Sequence, residues 1–337
     1  MPILAARDDV EMAAVCRLGH GELRQVADRF GFAFATEDYR ELLDRPLDAV
    51  VISTPHSRHF EHAKAALERG LHVMVEKPMT IDAEEAWDLA ETSRRRGLHL
   101  LVPYGWNYAP YIQEAKRLLD DGGIGTIEFV SLTMASPIRQ LLAGRETPHG
   151  EGDMFRPDSA TWADPAVAGG GYGPAQLSHG TGMLFFLTPL RAGEVFAFMT
   201  GPGSRVELYD AISVKFGSGA IGTIAGSSGI PGAHKFQLDL RLFGSEGMLL
   251  IDVERERLEL HREDGRVYNP PIPSGSGDYA CDGPPHRFID LILGRETENP
   301  SSGEIAARSV ELLDAASRSA ASGRVEAVAE VVSNQAS

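Results

Sequence analysis

Short apolar runs alternate with amphipathic stretches over the first 120 residues of the chain. Residues 49–53 and 73–75 are almost wholly apolar, which is typical of strands buried in a parallel sheet. Between them, Phe60, Ala63 and Leu67 recur at the spacing that places side chains on one face of a helix. The same pattern predicts further strands at residues 12–16 and 98–102, and further helical segments at residues 22–30, 37–43 and 82–96. This alternation predicts a doubly wound α/β domain.

The pattern changes after Gly122. Polar and apolar residues now alternate in short runs separated by glycine-rich turns, as they do in antiparallel strands. Such runs occupy residues 127–130, 195–198, 212–216 and 236–240. We therefore predict two domains: a parallel α/β domain over residues 1–120, and an α/β domain with a large, open and mainly antiparallel sheet over residues 121–337. Residues 144–168 contain several prolines and predict an irregular loop near the functional site.

The tripeptide Glu76-Lys77-Pro78 directly follows the apolar run at residues 73–75. It puts a lysine at the end of a parallel strand, the edge at which open α/β sheets bind their ligands. Burial beside a ligand shifts the pKa of an ammonium group towards neutral pH. Lys77 is therefore a candidate proton donor or acceptor.

Composition argues against several other classes of protein. The 337 residues carry a formal charge of −16, whereas a nucleic-acid surface needs a basic stripe. With only Cys16 and Cys281 there is no disulfide framework, which indicates a reducing, cytoplasmic location. No apolar run approaches the ~20 residues of a membrane helix, and the first residues lack a signal-peptide pattern. The spacing of His56, His59 and His62 could suggest a metal, but nothing fixes a converging ligand, so no metal site is predicted.

Residues 217–222 match the dinucleotide-binding pattern G-x-G-x-x-G by letter. That motif works because its glycines turn a strand into a helix whose N-terminus faces a pyrophosphate. Here a second strand pattern follows at residues 221–224. We therefore predict a β-hairpin turn at this position.

The frame around Lys77 closely resembles the Gfo/Idh/MocA family (glucose–fructose oxidoreductase, inositol dehydrogenase and MocA) of nicotinamide-dependent sugar oxidoreductases. The resemblance covers nearly the whole chain, with matching segments at residues 49–59, 76–78, 105–108, 122–127, 169–179 and 314–319. It implies a Rossmann-like first domain and a large open sheet in the second. The family's first strand and its glycine-rich turn are missing here. We therefore expect that the chain begins downstream of that strand and binds the cofactor weakly unless upstream residues are restored.

The resemblance implies NADP or NAD as the cofactor. It assigns cofactor contacts to Ser53, Thr54, Pro55, His56, His59, Glu76 and Lys77. Arg17 stands where the family usually has an acidic residue for the adenosine ribose. An arginine cannot accept a hydroxyl hydrogen bond but can pair with a 2′-phosphate, which favours NADP. An exposed arginine without this role is the alternative.

His179 lies eight residues after Gly171, where the resemblance implies the family's reaction-centre histidine. The aspartates usual in the family four residues before and three after it are Ala175 and Gly182 here. The expected catalytic set is therefore Lys77 and His179, with an ordinary buried histidine as the alternative. Candidates for binding substrate hydroxyls are Asn107, Tyr172 and Gln176.

The resulting prediction is reversible hydride transfer between NADP(H) or NAD(H) and a hydroxyl-bearing carbon of a sugar, cyclitol or related polyol. One alternative is a glycosidase that uses a bound nicotinamide transiently, because the lost aspartate makes an altered reaction possible. The other is a non-enzymatic sugar or nucleotide sensor, which the missing glycine loop favours and the presence of Lys77 and His179 opposes. Family members commonly pair through the open face of the C-terminal sheet, so a homo-oligomer is expected.

Overall fold

Short parallel strands joined by helices form the N-terminal half. The computed structural model of the protein describes residues 1–145, 158–232, 234–279 and 281–328. The elements of this half are α1 (Pro2–Ala5), β1 (Ala14–Cys16), α2 (His20–Phe30), β2 (Phe34–Thr36), α3 (Tyr39–Leu43), β3 (Ala49–Ile52), α4 (His59–Glu68), β4 (His72–Val75), α5 (Ala83–Arg96), β5 (Leu100–Leu101) and α6 (Pro110–Asp120). Where the sequence analysis gave bounds, the elements differ from them by no more than about two residues, whereas α1, β2 and α6 were not predicted there.

Capping residues set the ends of α5. The Asp82 side chain accepts a hydrogen bond from the backbone N–H of Glu85 at 3.0 Å, which satisfies one of the free N–H groups of the first turn. Gly97 closes the helix with φ of 66°, a left-handed conformation that favours glycine. Arginines at positions 94–96 fill the last turn, where positive charge complements the helix dipole.

The parallel strands form two separate sheets. β1 pairs with β2, and β3, β4 and β5 form a three-stranded sheet in which Ile52 lies beside Val75. In the doubly wound order, one further strand lies between the positions of β1 and β3. No strand within the described ranges occupies that place. The pairing of parallel strands agrees with a Rossmann-like domain.

A nine-stranded sheet dominates the C-terminal half. Its elements are β6 (Ile127–Ala135), α7 (Arg139–Leu142), α8 (Ser159–Ala163), α9 (Pro165–Ala168), a π-helical segment (Gly173–Leu177), α10 (Ser178–Leu187), β7 (Ala192–Thr200), β8 (Tyr209–Phe216), β9 (Ile221–Ser227), β10 (Gln237–Gly244), β11 (Gly247–Asp252), β12 (Arg257–Arg262), β13 (Val267–Tyr268), α11 (Gly283–Ile292), α12 (Gly303–Ser322) and β14 (Glu326–Ala327). The strand order is β13-β12-β11-β10-β6-β9-β8-β7-β14, and β6 and β9 are its parallel neighbours. The predicted open and mainly antiparallel sheet is confirmed.

Two local predictions in this half have different outcomes. Residues 217–222 turn from β8 into the antiparallel β9, so the predicted hairpin is confirmed. The irregular loop predicted for residues 144–168 is wrong for its described second part, because residues 159–168 form α8 and α9. Asp158 and Asp164 cap these two short helices, a signal that the proline content concealed. Residues 146–157 lie outside the described residues.

Two helices from the end of the chain complete the N-terminal half. Ala306, Ala307 and Val310 of α12 belong to the apolar core around β3 and β4. Phe288 and Leu291 of α11 pack against Met74 and Leu101 at a second cluster. The sequence pattern changes near residue 120, but the apolar core of the N-terminal half also includes residues from α11 and α12, which come much later in the chain. The parallel sheet needs these helices because such sheets are buried on both faces.

Glu311 on α12 ties the two halves together. It is 4% exposed and accepts a hydrogen bond from Trp87 Nε1 at 3.0 Å. Arg191, which precedes β7, contacts the same carboxylate through two nitrogens at 2.6 and 3.0 Å. Trp87 thus has a packing role that connects α5 to α12.

Candidate active site

Lys77 leaves the end of β4 and reaches into the C-terminal half. Its ammonium group donates a hydrogen bond to the backbone carbonyl of Ala175, with 2.5 Å between Nζ and O. Burial lowers the pKa of Lys77, and the negative charge of Glu76 opposes that shift. A lysine with this environment exchanges protons more readily near neutral pH than an exposed one does.

The acceptor of this bond belongs to a π-helical segment. Ala175 occupies the position of the aspartate that the resemblance leads one to expect, and the segment Gly173–Leu177 continues directly into α10. π-helical turns are rare and frequently lie at functional sites. A main-chain carbonyl here contacts the lysine, in the place where a carboxylate was expected.

Trp162 and His56 form one wall beside Lys77. The lysine Nζ lies 5.4 Å from the centre of the Trp162 ring, within reach of a cation–π interaction. The edge of Trp162 meets the His56 ring at 5.1 Å, and His56 Nδ1 lies 2.8 Å from the carbonyl oxygen of Ala168. Burial lowers the pKa of His56 to about 4, so the ring is neutral at pH 7. Sequence reasoning missed Trp162, because it lies in the segment that was predicted to be irregular.

His59 braces the two loops at this edge of the sheet. The ring is fully buried, with Nδ1 at 2.8 Å from Pro78 O and Nε2 at 2.8 Å from Thr54 O. Both nitrogens therefore contact backbone carbonyls, and neither faces an open cleft. His59 thus holds together the loops that carry Thr54 and Lys77, and its predicted cofactor contact stays a prediction.

The other predicted cofactor residues lie at strand ends. Ser53, Pro55 and Glu76 are exposed and Thr54 is half-buried, and the backbone N–H of Glu76 donates to Ile52 O at 2.9 Å. The loops after β3 and β4 therefore lie side by side. Arg17 follows β1 in the other small sheet, where its N–H donates to Thr36 O at 3.2 Å.

His179 lies in an aromatic enclosure on α10. The rings of Tyr104, Trp106 and Tyr279 surround the imidazole at centre distances of 6.1, 5.7 and 5.0 Å, all with edge-to-face geometry. The side chain is 6% exposed, and burial, aided by the charge of Lys77, holds the pKa of His179 well below its usual range. The imidazole is therefore neutral at pH 7.

Gly182 explains the absence of a second expected carboxylate. A Cβ at this position would lie 2.8 Å from two ring carbons of Tyr104, so any side chain would force that ring to move. Tyr104 is 1% exposed and forms part of the enclosure around His179. The glycine allows the tyrosine to pack directly against α10.

The predicted substrate residues do not all meet at this site. Gln176 is half-buried on the π-helical segment, next to the acceptor of the Lys77 bond. Asn107 is fully buried, and its amide donates to Pro300 O at 2.8 Å. Tyr172 is also fully buried and packs against Gly226 of β9. Gln176 thus lies closest to the reactive groups along the chain, whereas Asn107 and Tyr172 occupy structural positions.

A second group of ionisable side chains lies around Tyr172. Glu207 Oε1 accepts a hydrogen bond from the N–H of Gly173 at 3.2 Å, and burial raises the pKa of Glu207. Asp210 on β8 is 4% exposed, and neither of its carboxylate oxygens has a partner among the described residues. Burial and the charge of Glu207 raise the pKa of Asp210 well above its ordinary value.

The glycine run at residues 169–171 packs against the backbone of Glu207, in the connection between β7 and β8. A Cβ on Gly171 would lie 1.9 Å from the carbonyl oxygen of Glu207, which leaves no space for a side chain. That carbonyl accepts the N–H of Tyr172 at 3.0 Å. The close approach sets where the π-helical segment begins and therefore where His179 lies.

Two kinds of feature are absent from the described parts of the chain. Within residues 1–145, 158–232, 234–279 and 281–328, no group of three or more histidine, cysteine, aspartate or glutamate side chains could hold a metal ion. Among the helices of the same ranges, none is long and apolar enough to span a membrane.

A parallel α/β half with a lysine at the end of a strand is joined to a half with a large mixed sheet, in which helix α10 carries the buried His179. This arrangement agrees with the comparisons of the sequence with known families. The sequence model described as "Oxidoreductase family, NAD-binding Rossmann fold" matches residues 1–104. The model of the GFO/IDH/MocA C-terminal domain matches residues 112–250. The chain belongs to the GFO/IDH/MocA family.

Individual relatives agree with this assignment. Levoglucosan dehydrogenase from Pseudarthrobacter phenanthrenivorans is 25% identical over 257 residues, which cover 68% of this chain and 62% of that protein. A dTDP-3,4-didehydro-2,6-dideoxy-α-D-glucose 3-reductase from Streptomyces antibioticus is 28% identical, over 78% of this chain and 76% of the relative. The match to the first of them thus spans less than two thirds of its length.

A solved structure extends the likeness of fold over most of the chain. Levoglucosan dehydrogenase in complex with NADH and levoglucosan superimposes with a TM-score of 0.76. The superposition covers 94% of this chain and 90% of that one at 23% identity. At this identity the likeness establishes the fold.

Proposed function

We propose that the protein transfers a hydride between a nicotinamide cofactor and the hydroxyl-bearing carbon of a sugar, cyclitol or related polyol. One observation carries the proposal. A half-buried lysine that follows β4 in the N-terminal half acts electrostatically on a buried histidine of the C-terminal half, and both side chains have a lowered pKa. Groups poised in this way are suited to moving a proton at the carbon that gains or loses the hydride.

Each residue has a separate task in this reaction. The bound nicotinamide supplies the hydride chemistry. Lys77 donates a hydrogen bond to the reacting oxygen and stabilises the charge that develops there. His179 exchanges the proton of the same hydroxyl, since its ring is neutral at pH 7. The aromatic enclosure keeps water away from the imidazole.

The cofactor-facing residues fit the nicotinamide end of a dinucleotide. The adjacent loops after β3 and β4 offer the exposed backbone of Ser53 and Pro55 beside the half-buried Lys77. Within the described parts of the chain, we identify no glycine-rich turn between a strand and a helix that would bind the pyrophosphate. The fit therefore supports contacts around the nicotinamide and does not extend to the phosphates.

NADP is the favoured cofactor in this proposal, because Arg17 follows β1 where a 2′-phosphate would be bound. A charge-assisted pair of this kind contributes roughly 1.5–3 kcal/mol, or about ten- to a hundredfold in affinity. Arg17→Asp should therefore reverse the preference from NADP to NAD in parallel calorimetric titrations, and Arg24→Asp on the neighbouring α2 serves as the charge-matched control. A wild-type protein that bound NAD more tightly would remove the role given to Arg17.

The substrate class rests on the relatives. One is named as a levoglucosan dehydrogenase and another as a reductase of a nucleotide-linked deoxy sugar. Both act on ring carbons that bear oxygen, which is the chemistry that Lys77 and His179 can serve. Gln176, half-buried beside Ala175, is the candidate that contacts a neighbouring hydroxyl.

The test is a panel of monosaccharides, anhydrosugars, glycosides and cyclitols, each incubated with saturating NAD or NADP. Net formation of reduced cofactor that Lys77→Met abolishes is the expected result. Cleavage of a glycoside without net reduced cofactor would favour the glycosidase instead. Ligand binding without any turnover across the panel would favour a sensor.

We further infer that a second copy of the chain covers the open face of the nine-stranded sheet. Phe198 is 71% exposed and Ile221 is 53% exposed on this face, and the Phe196 and Phe198 rings contact each other at 5.0 Å. An exposed apolar surface on a sheet is typical of an interface. Light scattering should show an oligomer that Phe198→Glu dissociates, and a monomeric wild-type protein would contradict the inference.

A further inference from the structure

The hydroxyl group of Tyr279 lies between the two halves of the site. It donates a hydrogen bond to the carbonyl oxygen of Pro103 at 2.9 Å and accepts one from the N–H of Gly105 at 3.2 Å. Its oxygen is also 3.5 Å from Nδ1 of His179. The tyrosine thus connects the segment after β5 to the imidazole on α10.

Counting protons at this hydroxyl determines the direction of the third contact. A phenol has one proton and two lone pairs. The proton goes to Pro103 O, which is the nearer acceptor at 2.9 Å against 3.5 Å for Nδ1, and one lone pair takes the N–H of Gly105. Only an acceptor lone pair remains for His179, so Nδ1 must carry the hydrogen in this contact.

The surroundings keep this arrangement in one protonation state. Burial raises the pKa of Tyr279 above its usual range, so the phenol stays protonated. The rings of Tyr104, Trp106 and Tyr279 enclose the imidazole, and Lys77 is the charged group that acts on it. A neutral ring with its hydrogen on Nδ1 has a free lone pair on Nε2. No described residue hydrogen-bonds to Nε2.

We propose that Tyr279 is a positioning residue that fixes His179 as the Nδ1–H tautomer and thereby reserves the Nε2 lone pair for the substrate hydroxyl. In the oxidative direction the hydroxyl proton passes to Nε2, and the hydride from the same carbon goes to the nicotinamide oxidant of the proposed function. The reductive direction returns the proton from Nε2 to the oxygen. The role of the Nε2 lone pair in catalysis rests on the proposed function, whereas the assignment of the His179 tautomer does not.

Nitrogen NMR of protein labelled with ¹⁵N-histidine tests the tautomer without substrate or cofactor. His179→Gln assigns the signals and serves for that purpose alone. In the wild-type protein at pH 7, the His179 signals should show a protonated Nδ1 and a bare Nε2. A protonated Nε2 in the wild-type protein would overturn the proposal, even if the protein proved to be a dehydrogenase.

Tyr279→Phe removes the acceptor and keeps the ring. The His179 signals should then shift towards the Nε2–H form, which isolated imidazole side chains prefer. Tyr111→Phe is the matched control: its hydroxyl is buried, has no partner among the described residues and makes no contact with His179. Unchanged His179 signals in Tyr279→Phe, or an equal shift in Tyr111→Phe, would contradict the role.

Kinetics provide a second measurement once a substrate is known. Loss of one neutral hydrogen bond corresponds to roughly three- to tenfold, so kcat should fall by about that factor in Tyr279→Phe. KM should change little, because Tyr279 contacts the histidine and not the substrate. A change confined to KM would contradict a positioning role.

Discussion

Two buried groups of ionisable side chains flank the π-helical segment Gly173–Leu177, and they differ in chemistry and in purpose. In the reactive pair, Lys77 and His179, burial disfavours the positively charged forms and lowers the pKa of each side chain. In the acidic pair, Glu207 and Asp210, burial disfavours the negatively charged forms and raises the pKa of each carboxyl group. Lys77 bonds to the carbonyl of Ala175, and Glu207 bonds to the N–H of Gly173, so one segment connects the two pairs.

This difference shows how to tell which side chains with a shifted pKa belong to a candidate active site. The reactive pair lies at the end of β4, beside two exposed loops and a half-buried glutamine. The acidic pair lies beneath the glycine run, among strand ends and the fully buried Tyr172. A shifted pKa alone would select both pairs, because structural groups are perturbed as well as catalytic ones. The two pairs are distinguished by their position. Lys77 follows a parallel strand at its carboxyl end, the edge at which open α/β sheets bind ligands, whereas Glu207 and Asp210 lie at β8 of the other sheet.

The largest effect expected from this comparison is on turnover. Lys77→Ala should lower kcat by about 10²–10⁴-fold, as is typical when a general acid or base is lost, because the reacting oxygen loses its proton-handling partner. Steady-state turnover with saturating cofactor measures this, and circular dichroism confirms that the variant is folded. Asp210→Asn is the control from the acidic pair and should keep a rate close to wild type. Near-wild-type turnover by folded Lys77→Ala would remove the mechanism and leave the sensor hypothesis ahead.

The next effect is on stability and belongs to the acidic pair. Asp210 has no partner among the described residues, so its ionised form is costly to bury. Because burial raises its folded pKa, the free energy of unfolding should fall as pH rises from about 4, the unfolded value, through the folded pKa. At pH 7, Asp210→Asn should therefore increase the free energy of unfolding by roughly 1–3 kcal/mol in urea denaturation.

Asp252 supplies the matched control for this measurement. It is equally buried at 4% exposure, but its carboxylate accepts hydrogen bonds from the N–H of Arg255 at 2.9 Å and from the guanidinium at 2.8 Å. Asp252→Asn should therefore destabilise the protein, since it weakens a satisfied ion pair. If Asp210→Asn lowered the free energy of unfolding as much as Asp252→Asn does, the Asp210 carboxylate would have a hydrogen-bond partner and the prediction would be wrong.

The smallest effect links the two members of the reactive pair. The charge of Lys77 contributes to the lowered pKa of His179, second to burial. Lys77→Met should therefore raise the pKa of His179 while leaving it below the usual range, as measured by NMR titration of the imidazole. Asp210→Asn should leave that titration unchanged. A His179 pKa that did not respond to Lys77→Met would show that the two side chains are not coupled.

Much of the fold could be predicted from the sequence because it depends on local periodicity. Runs such as residues 49–53 and 73–75 are apolar and too short for a helix, so a strand was predicted at each; residues 73–75 are buried, whereas Val51 is 40% exposed. The capping signal at Asp82 and the terminal Gly97 determined α5 in the same way. Lys77 followed from its place at the end of a strand, and His179 from its register with the glycine run.

The contacts around the candidate site depend on tertiary packing and could not be predicted from the local sequence pattern. Trp162, Tyr279 and Ala175 O meet Lys77 and His179 only because segments far apart in sequence fold together. The placement of His59, Asn107 and Tyr172 away from an open cleft depends on backbone carbonyls and glycines that no periodicity reports. The sequence by itself determined most of the strands and helices, since these follow from neighbouring residues, and it proposed Lys77 from its place at a strand end and His179 from the family resemblance. Only the tertiary structure determined which groups surround them, because burial and hydrogen bonding arise from contacts across the whole chain.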